Sequence, residues 1–255
     1  MEQQNGQPLV SVIMPAYNAG AYIEEAIRSV MAQTLKDWEL LVLDDGSSDD
    51  TCATVQRLAE EDPRVRLLRN EQNMGAARTR NRGFTLAAGV FVALLDSDDL
   101  WLPDKLEKQL AVMEEQRADF SCTSYSIIDR EGDPAKADYL VPECIDLNVL
   151  LRENVIGCST VVLRRELVEK HPFPTDFFHE DYVLWLQLLQ QGYRVTGCTE
   201  VLTRWRYIET SRSFNKLKSA QNRWRIYRHY LKLPLHQCIR HFLAYATAGL
   251  RKYAD

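Results

Sequence analysis

Short apolar runs alternate with helix-patterned segments over the first half of the chain, and this alternation most constrains the fold. The apolar runs are residues 9–14 (LVSVIM), 38–43 (WELLVL), 64–68 (RVRLL) and 90–95 (VFVALL). The segments predicted to be helical are 21–33, the stretch after a cap at Ser48 or Asp49, 75–89 and 102–116. The run at 90–95 is apolar at every position, as expected for a strand buried on both faces. The alternation of strands and helices predicts a doubly wound α/β domain with a largely parallel sheet.

Polar clusters follow three of these predicted strands. They are PAYN at 15–18, where Pro15 is expected to stop the first strand, DDGS at 44–47 and DSDD at 96–99. In open α/β sheets, ligands bind beyond the carboxyl ends of the strands. The topology therefore predicts that the three clusters meet at one edge and form one site.

The DSD segment has two possible roles. Side chains alternate along an extended chain, so Asp96 and Asp98 would lie on one side with Ser97 between them. Paired carboxylates suit Mg²⁺ or Mn²⁺. The alternative is that Asp98 or Asp99 merely caps the helix that follows Pro103.

The other strand-end residues also have structural alternatives. Asp44 and Asp45 could be turn residues, or could accept hydrogen bonds from a ribose or a base. Tyr17 could pack in the fold or present its ring to a nucleobase, and Arg80 could pair with phosphate or be a solvated helix residue. The sequence contains neither GxxxxGK[ST] nor GxGxxG, which argues against P-loop kinases and NAD-dependent dehydrogenases.

Three segments together resemble the family 2 glycosyltransferases: residues 10–51, NMGAARTRNRGF at 73–84 and VALLDSDDLWLPDKLEKQL at 92–110. The HEDYVLWLQLL segment at 179–189 resembles the ED segment of the family. The segment from Ser213 to Arg228 is similar to bacterial transferases of the teichuronic-acid type. The resemblance implies the GT-A fold, with a Rossmann-like, mostly parallel sheet flanked by helices and a C-terminal helical extension. It also implies an inverting transferase that uses a nucleotide-diphosphate sugar.

The resemblance assigns donor-site roles residue by residue. Asp98 would be the more direct ligand of Mn²⁺ or Mg²⁺, with Asp96 near the ribose and the metal's waters and Ser97 within the DxD motif. Tyr17 matches the aromatic that stacks on uracil, so UDP is the favoured nucleotide. The remaining expected donor contacts come from Pro15, Ala16, Asp44, Asp45 and Arg80.

Asp181 matches the catalytic base of the family. At a helix N-terminus it should stay ionised, as a base must. Glu180 is the alternative candidate for the base. His179 could contact the acceptor or a phosphate, and the alternative is a solvent-facing histidine in a loop. Arg206 or Arg212 could close over the diphosphate.

Charge is unevenly distributed. Residues 204–252 contain 12 Lys and Arg and one acidic residue, giving +11, whereas the whole chain carries −5. We divide the chain into a catalytic domain, 1–203, and a basic helical extension, 204–255, with apolar stripes at Leu217, Ala220, Trp224, Tyr227 and Leu231 and at Leu235, Ile239, Phe242, Ala246 and Leu250. The extension could be a structural helical pair, an oligomer contact or a contact with an anionic membrane. The enzyme motifs argue against nucleic acid.

These features predict a cytoplasmic enzyme, at most peripheral on the inner face of the membrane. The N-terminus does not resemble a signal peptide, no apolar run reaches about 20 residues, and the six cysteines are scattered as in reduced proteins. The expected acceptor is a lipid-linked or oligosaccharide hydroxyl in surface polysaccharide synthesis. A sugar nucleotidyltransferase and a catalytically silent glycan-binding subunit are the alternatives.

Overall fold

The structure is a computed structural model that describes residues 7–208 and 216–252. Its first four strands are β1 (Val10–Ala16), β2 (Trp38–Asp44), β3 (Val65–Arg69) and β4 (Phe91–Leu94). Three helices connect them: α1 (Ile23–Met31), α2 (Thr51–Glu61) and α3 (Ala76–Leu86). The strands are parallel and lie in the order β3-β2-β1-β4, so the predicted alternation is confirmed.

β1 continues through Pro15 to Ala16, so the prediction that the strand stops at Pro15 is wrong. β4 pairs with β1 only as far as Ile13, and Pro15 pairs with Leu43 of β2. Ile13 directs its carbonyl to Leu95 on the β4 side. Pro15, two residues on, faces the same side, where β4 has ended and no ladder donor is needed.

The second half of the chain extends the sheet with mixed strand directions. Its strands are β5 (Leu100–Trp101), β6 (Phe120–Ile128), β7 (Pro134–Tyr139), β8 (Val162–Arg164) and β9 (Val195–Arg206). Its helices up to β9 are α4 (Lys105–Glu115), α5 (Leu147–Arg152), α6 (Arg165–Lys170) and α7 (Glu180–Gln190). β8 is antiparallel to both β4 and β6, β6 and β9 are parallel, and β5 and β7 pair antiparallel at the margins.

The core lies on both faces of the sheet. Along β1, Val12 and Met14 belong to the apolar cluster on one face, and Ile13 belongs to the cluster on the other. Leu41 and Val42 of β2 divide in the same way. This alternation follows from the two-residue period of a strand and explains why β1 and β2 carry apolar residues on both faces.

Two C-terminal helices, α8 (Lys216–Arg225) and α9 (Leu235–Lys252), are joined by a π-helical turn, 226–230. Ile226, Tyr227 and Cys238 join the core cluster that contains the side chains of α5 and α7. β9 ends at Arg206, so this strand crosses the domain boundary that we predicted at residue 203. No helix among the described residues is long and apolar enough to span a bilayer.

The predicted apolar stripes of these helices coincide only in part with their buried faces. Tyr227 of the first stripe is fully buried, and Phe242 of the second packs against the core cluster. Leu217 is 72% exposed and Leu235 is 55% exposed. The buried positions of α8 are instead Ser219, Asn222 and Arg223, at helical spacing. The prediction is wrong for the buried face of α8 because that face is polar, and hydrophobic periodicity cannot detect a polar inner face.

Candidate active site

The carboxyl ends of β1, β2 and β4 meet at one edge of the sheet. Ala16 pairs with Asp44, and Ile13 pairs with Leu94, two residues before Asp96. This register brings the three polar clusters into one region, as the topology predicted.

The turns after β1 and β2 bind each other directly. The Asn18 N–H donates to Ser47 Oγ at 2.9 Å, and Asn18 Oδ1 accepts the Ser48 N–H at 2.9 Å. Asn18 has a φ of 49°, a left-handed conformation that asparagine tolerates. Tyr17 lies just before it and is 54% exposed, so its ring is available to stack on a planar ligand.

Pro15 and Ala16 form the floor beneath this turn. The Ala16 carbonyl accepts the Asp45 N–H at 2.8 Å, which continues the β1–β2 ladder by one step beyond the strands. This hydrogen bond holds the backbone of both residues at the edge of the sheet where we predict that it lines a nucleotide.

The Asp45 carboxylate organises the loop after β3. Oδ1 accepts the Asn70 amide at 2.7 Å and the Met74 N–H at 2.8 Å, and Oδ2 accepts the Gly75 N–H at 2.8 Å. Gly75 has a φ of 84°, which favours glycine at this position. Asp45 therefore joins the end of β2 to the start of α3, and a role in base recognition stays a prediction.

Asp44 is fully buried, with an oxygen that lacks a hydrogen bond. Oδ1 accepts the Ser47 N–H at 3.2 Å, whereas Oδ2 has no hydrogen-bond partner among the described residues, and Arg69 Nε lies 3.4 Å from it. Burial opposes ionisation of Asp44, but hydrogen bonds from Ser47 and Cys52 and the Arg69 charge outweigh it and lower its pKa.

Asp99 supports the DSD segment from below. It is 1% exposed, accepts the Ser159 hydroxyl through Oδ2 and accepts the Arg206 N–H through Oδ1 at 2.8 Å. Ser159 Oγ also accepts the Asp96 N–H at 3.1 Å. α4 begins after Asp104 without a side-chain cap, so neither Asp98 nor Asp99 caps it, and the capping alternative is wrong.

Arg206 is buried beneath the DSD segment. Its Nε donates to the Asp98 carbonyl at 2.9 Å, Nη1 to the Arg130 carbonyl at 2.6 Å, and Nη2 to Glu25 at 2.7 Å. These contacts give it a supporting role rather than that of a free guanidinium over a diphosphate. Arg212, the other residue expected to close the site, lies outside the described residues.

Arg80 connects the DSD segment to the helix that carries the expected base. Its Nη2 donates to Asp96 Oδ1 at 2.5 Å and its Nη1 donates to Glu180 Oε1 at 3.3 Å. Arg80 is 6% exposed, and burial opposes its charge, but the surrounding groups, including Asp96 and Glu180, raise its pKa well above the ordinary value. Arg80 is therefore a fixed buried cation at the centre of the site.

The carboxylates of the DSD segment are crowded. Burial, and then the charge of Asp96, raise the pKa of Asp98 to about 6. The neighbouring carboxylates of Asp96 and Asp98 suit a divalent cation. Such an ion is held by one or two carboxylates, and phosphate oxygens and water complete its coordination shell. The described residues contain no group of three or more His, Cys, Asp or Glu side chains that could hold a metal.

Asp181 lies in the first turn of α7 and is partly buried. Burial raises its pKa, whereas the Tyr182 N–H and the charges of Arg80 and Arg223 act in the opposite direction. Glu180 points to Arg80, so the two neighbouring carboxylates have different surroundings, as their helical rotation predicts. His179 precedes the helix, with its ring 4.9 Å from that of Phe178 in an edge-on arrangement.

Several site residues were not identified from the sequence. Asn70 follows β3 and orients Asp45, and the strand-end rule could have found it. Ser159 carries no such signal because the turn that holds it meets Asp96 only through tertiary packing. Cys158 lies where the charges of Arg80, Asp96 and Asp181 reach its thiol, and burial raises its pKa well above the ordinary value.

The model of "Glycosyl transferase family 2" matches residues 11–171. The chain belongs to this family. Its sequence is 40% identical over 248 residues to WfgD of Escherichia coli, across 96% of this chain and 95% of that protein. WfgD is named as a UDP-Glc:alpha-D-GlcNAc-diphosphoundecaprenol beta-1,3-glucosyltransferase.

A second relative and a solved structure agree with this family and fold. TuaG of Bacillus subtilis (strain 168), named for teichuronic acid biosynthesis and as a glycosyltransferase, is 38% identical across 97% of this chain and 98% of its own length. The mannosyltransferase PcManGT of Pyrobaculum calidifontis, solved with GDP-Man and Mn²⁺, superposes with a TM-score of 0.70 at 20% identity. That superposition covers 98% of this chain and 76% of the other, and the expected GT-A fold is confirmed.

Replacing Arg80 should destabilise the protein by removing the cation from a buried carboxylate. Arg80→Met is expected to lower the free energy of unfolding by about 3 kcal/mol, as is usual when one partner of a buried ion pair is lost. Urea denaturation at pH 7.5 measures it. Adding Glu180→Gln should recover part of the loss, because the second change removes the charge that lost its partner.

The matched control for this experiment is Arg57→Met. Arg57 pairs with Glu61, but these side chains are 49% and 41% exposed, so the expected cost is below about 1 kcal/mol. Equal costs for the two arginine variants would contradict the assignment of Arg80 as a structural cation.

Asp98 should make the metal-free protein less stable at neutral pH. Its folded pKa of about 6 lies above its ordinary value of 3.8, so stability falls as pH rises between these values and stays lower above about 6. Asp98→Asn is therefore expected to raise the free energy of unfolding by about 2 kcal/mol at pH 7.5 in EDTA, and by much less at pH 4.5. Urea denaturation at both pH values gives the comparison.

Asp104→Asn is the control for Asp98→Asn. Asp104 is an exposed carboxylate paired with Lys108, and its pKa is lowered rather than raised. The free energy of unfolding of Asp104→Asn should not exceed that of the wild type at neutral pH. An Asp98→Asn protein no more stable than the wild type at pH 7.5 would show that Asp98 is not strained by its surroundings.

Proposed function

We propose that this protein is a metal-dependent, inverting glycosyltransferase that moves a sugar from a UDP-sugar to a hydroxyl of a lipid-linked glycan during surface polysaccharide synthesis. The observation that carries the proposal is the convergence of Tyr17, Asp96 and Asp98 at one sheet edge, with Arg80 linking that edge to the helix of Asp181. The family membership and the names of the two relatives support the reaction class.

The nucleotide would lie across the carboxyl ends of β1 and β2. Tyr17 is exposed there and offers its ring to a uracil, while Pro15 and Ala16 present their backbone beneath it. Asp44 and Asp45 lie below the turn that the base would touch. The sugar and diphosphate would then lie toward Asp96, Ser97 and Asp98.

Asp98 and Asp96 would hold Mn²⁺ or Mg²⁺, with Asp96 also bonded to Arg80. When bound, such an ion neutralises the diphosphate as the bond to the sugar breaks. The chain's own contribution is to keep both carboxylates in place: Asp99, Ser159 and Arg206 fix the segment from below. The Mn²⁺ in the complex of PcManGT is consistent with this use of the two aspartates.

Asp181 would accept the proton of the acceptor hydroxyl. Its raised pKa makes its carboxylate a stronger base than an exposed aspartate, and it acts only while ionised. Glu180 is held by Arg80 and is turned away from that task. Attack from the face opposite the leaving diphosphate inverts the anomeric carbon in a single displacement.

Peripheral membrane contact through α9 forms the last part of the proposal. Leu235, Ile239 and Leu243 repeat every four residues and are 55%, 46% and 61% exposed, which makes one apolar strip. Lys232 and Arg240 lie near this strip and are exposed. An apolar strip beside cations fits the surface of an anionic bilayer, where a lipid-linked acceptor would be found.

The catalytic assignment is tested with Asp181→Asn and Asp98→Ala, assayed by UDP release from UDP-glucose with a lipid-diphosphate-linked N-acetylglucosamine acceptor. Asp181→Asn should lower kcat by about 10²- to 10⁴-fold without weakening the Mn²⁺-dependent thermal shift caused by UDP. Asp98→Ala should abolish that shift as well. GDP-mannose serves as the comparison donor.

Asp104→Asn is the control, because Asp104 precedes another helix and is exposed. It should retain wild-type turnover. If Asp181→Asn turns over at the rate of this control, the base is a different residue.

The membrane contact is tested by co-sedimentation with vesicles of phosphatidylethanolamine and phosphatidylglycerol. Ile239→Asp/Leu243→Asp is expected to reduce the bound fraction about tenfold or more, because both apolar contacts are lost and two negative charges face an anionic surface. Leu86→Asp/Val90→Asp, at exposed apolar positions elsewhere on the fold, should bind as the wild type does. Equal binding of the two double variants would contradict the α9 assignment.

A further inference from the structure

The inner face of α8 carries three buried polar side chains, and each has one atom without a hydrogen bond in the described part of the chain. Ser219, Asn222 and Arg223 are 5%, 7% and 4% exposed. Ser219 Oγ, Asn222 Nδ2 and Arg223 Nη1 make no hydrogen bond to the rest of the described chain. All three groups can donate a hydrogen, and leaving a buried donor unpaired costs free energy. Of the three, Asn222 also lines a cleft, where a ligand with acceptor oxygens would be favoured.

A cleft of about 530 Å³ opens beside this face, between α8 and the loop Thr175–Phe178. Lys218, Asn222 and Arg225 line one wall, and Phe177 and Phe178 line the other. Asn222 accepts the Phe178 N–H at 3.3 Å through Oδ1, so its amide nitrogen is the atom left to donate. The cleft thus combines a buried amide donor with two cations and two aromatic rings.

The cations of the cleft are held against its aromatic wall. Lys218 Nζ lies 4.6 Å from the centre of the Phe178 ring, and the Arg225 guanidinium lies 5.1 Å from that of Phe177. Arg225 also donates to the carbonyl of Asp176 at 3.2 Å. The lining contains the two cationic side chains Lys218 and Arg225 and one acidic side chain, the exposed Asp176.

The cleft adjoins the expected catalytic base. Phe178 precedes Asp181 by three residues, and the Arg223 guanidinium stacks 3.6 Å from the ring centre of Tyr182, the next residue of α7. An anionic group in the cleft would therefore lie near the N-terminal end of α7, the helix that carries Asp181. The DSD segment, which would hold the donor diphosphate, is reached from α7 through Arg80 and not through α8.

We propose that this cleft binds the diphosphate that links the acceptor sugar to its lipid, through Lys218, Arg225 and the Asn222 amide. The inference rests on the proposed function, because it assigns a subsite to that reaction's acceptor. Charge-assisted hydrogen bonds to phosphate oxygens are stronger than neutral ones, and Arg and Lys are the residues that make them. Phe177 and Phe178 offer apolar surface to the first carbons of the lipid.

Binding is tested first, without turnover. Calorimetry in EDTA measures the affinity of geranyl diphosphate, a soluble lipid diphosphate, for the full chain. Lys218→Gln/Arg225→Gln should weaken it about tenfold or more, which is the effect of losing about one strong charged contact. Arg57→Gln/Lys170→Gln removes two exposed cations elsewhere and should bind as the wild type does.

A kinetic comparison separates this subsite from the donor site. The same sugar is offered as a lipid diphosphate and as a neutral alkyl glycoside, with UDP-glucose as donor. The Lys218→Gln/Arg225→Gln protein, called the cleft variant, should have a KM for the diphosphate acceptor about tenfold higher than the wild type. Its KM values for the neutral acceptor and for UDP-glucose should be unchanged. Asn222→Asp, which places a negative charge in the cleft, should act in the same direction.

The outcomes distinguish the two proposals. If wild-type protein transfers sugar but the cleft variant handles the diphosphate acceptor like the control, the subsite assignment is overturned and the function stands. A loss of UDP binding in the cleft variant would also overturn it, because the cleft would then serve the donor. If the wild type transfers sugar to neither acceptor, the proposed function itself fails.

Discussion

The buried contact of Arg80 with Asp96 and Glu180 is the interaction on which the site depends. It joins residues that are 16 and 100 positions from Arg80 along the chain, and so fixes the DSD segment relative to α7. A buried cation between two carboxylates is stable only while both remain, because an unpaired charge in the interior is costly. The DSD segment and α7 are thus held together electrostatically, not only by packing.

The same edge concentrates negative charge that the fold offsets locally. Asp96 meets Arg80, Asp99 accepts from Ser159 and from the backbone of Arg206, and Asp98 keeps the raised pKa that follows from burial beside Asp96. Three aspartates within four residues thereby acquire three environments. Burial also raises the pKa of Asp99 well above its ordinary value, so both Asp98 and Asp99 resist ionisation. Asp98 belongs to the DSD segment, and a divalent cation bound there would relieve its strain.

The strand-end clusters were predictable from the sequence because the topology follows from short-range patterns. Parallel strands with short connections place their carboxyl ends together whatever the loops contain, so Tyr17, Asp45 and Asp96 could be assigned to one edge. Arg206 could not be assigned correctly. Its location depends on β9 joining the sheet beside β6 and β5, and strand order among mixed strands is set by tertiary packing that periodicity does not report.

The C-terminal helices show a second limit of prediction from hydrophobic periodicity, because a buried polar face gives no periodic signal. Hydrophobic periodicity assumes that a helix buries its apolar side, yet α8 turns Ser219, Asn222 and Arg223 inward and leaves Leu217 exposed. The π-helical turn and α9 anchor the pair through Ile226, Tyr227 and Cys238 in the core. Because these apolar contacts hold the helices in place, the preceding turns of α8 can retain unpaired donors at a cost of about 1–3 kcal/mol each. Asn222 is one of these donors and also lines the cleft beside the start of α7, where a bound anion would offset part of that cost.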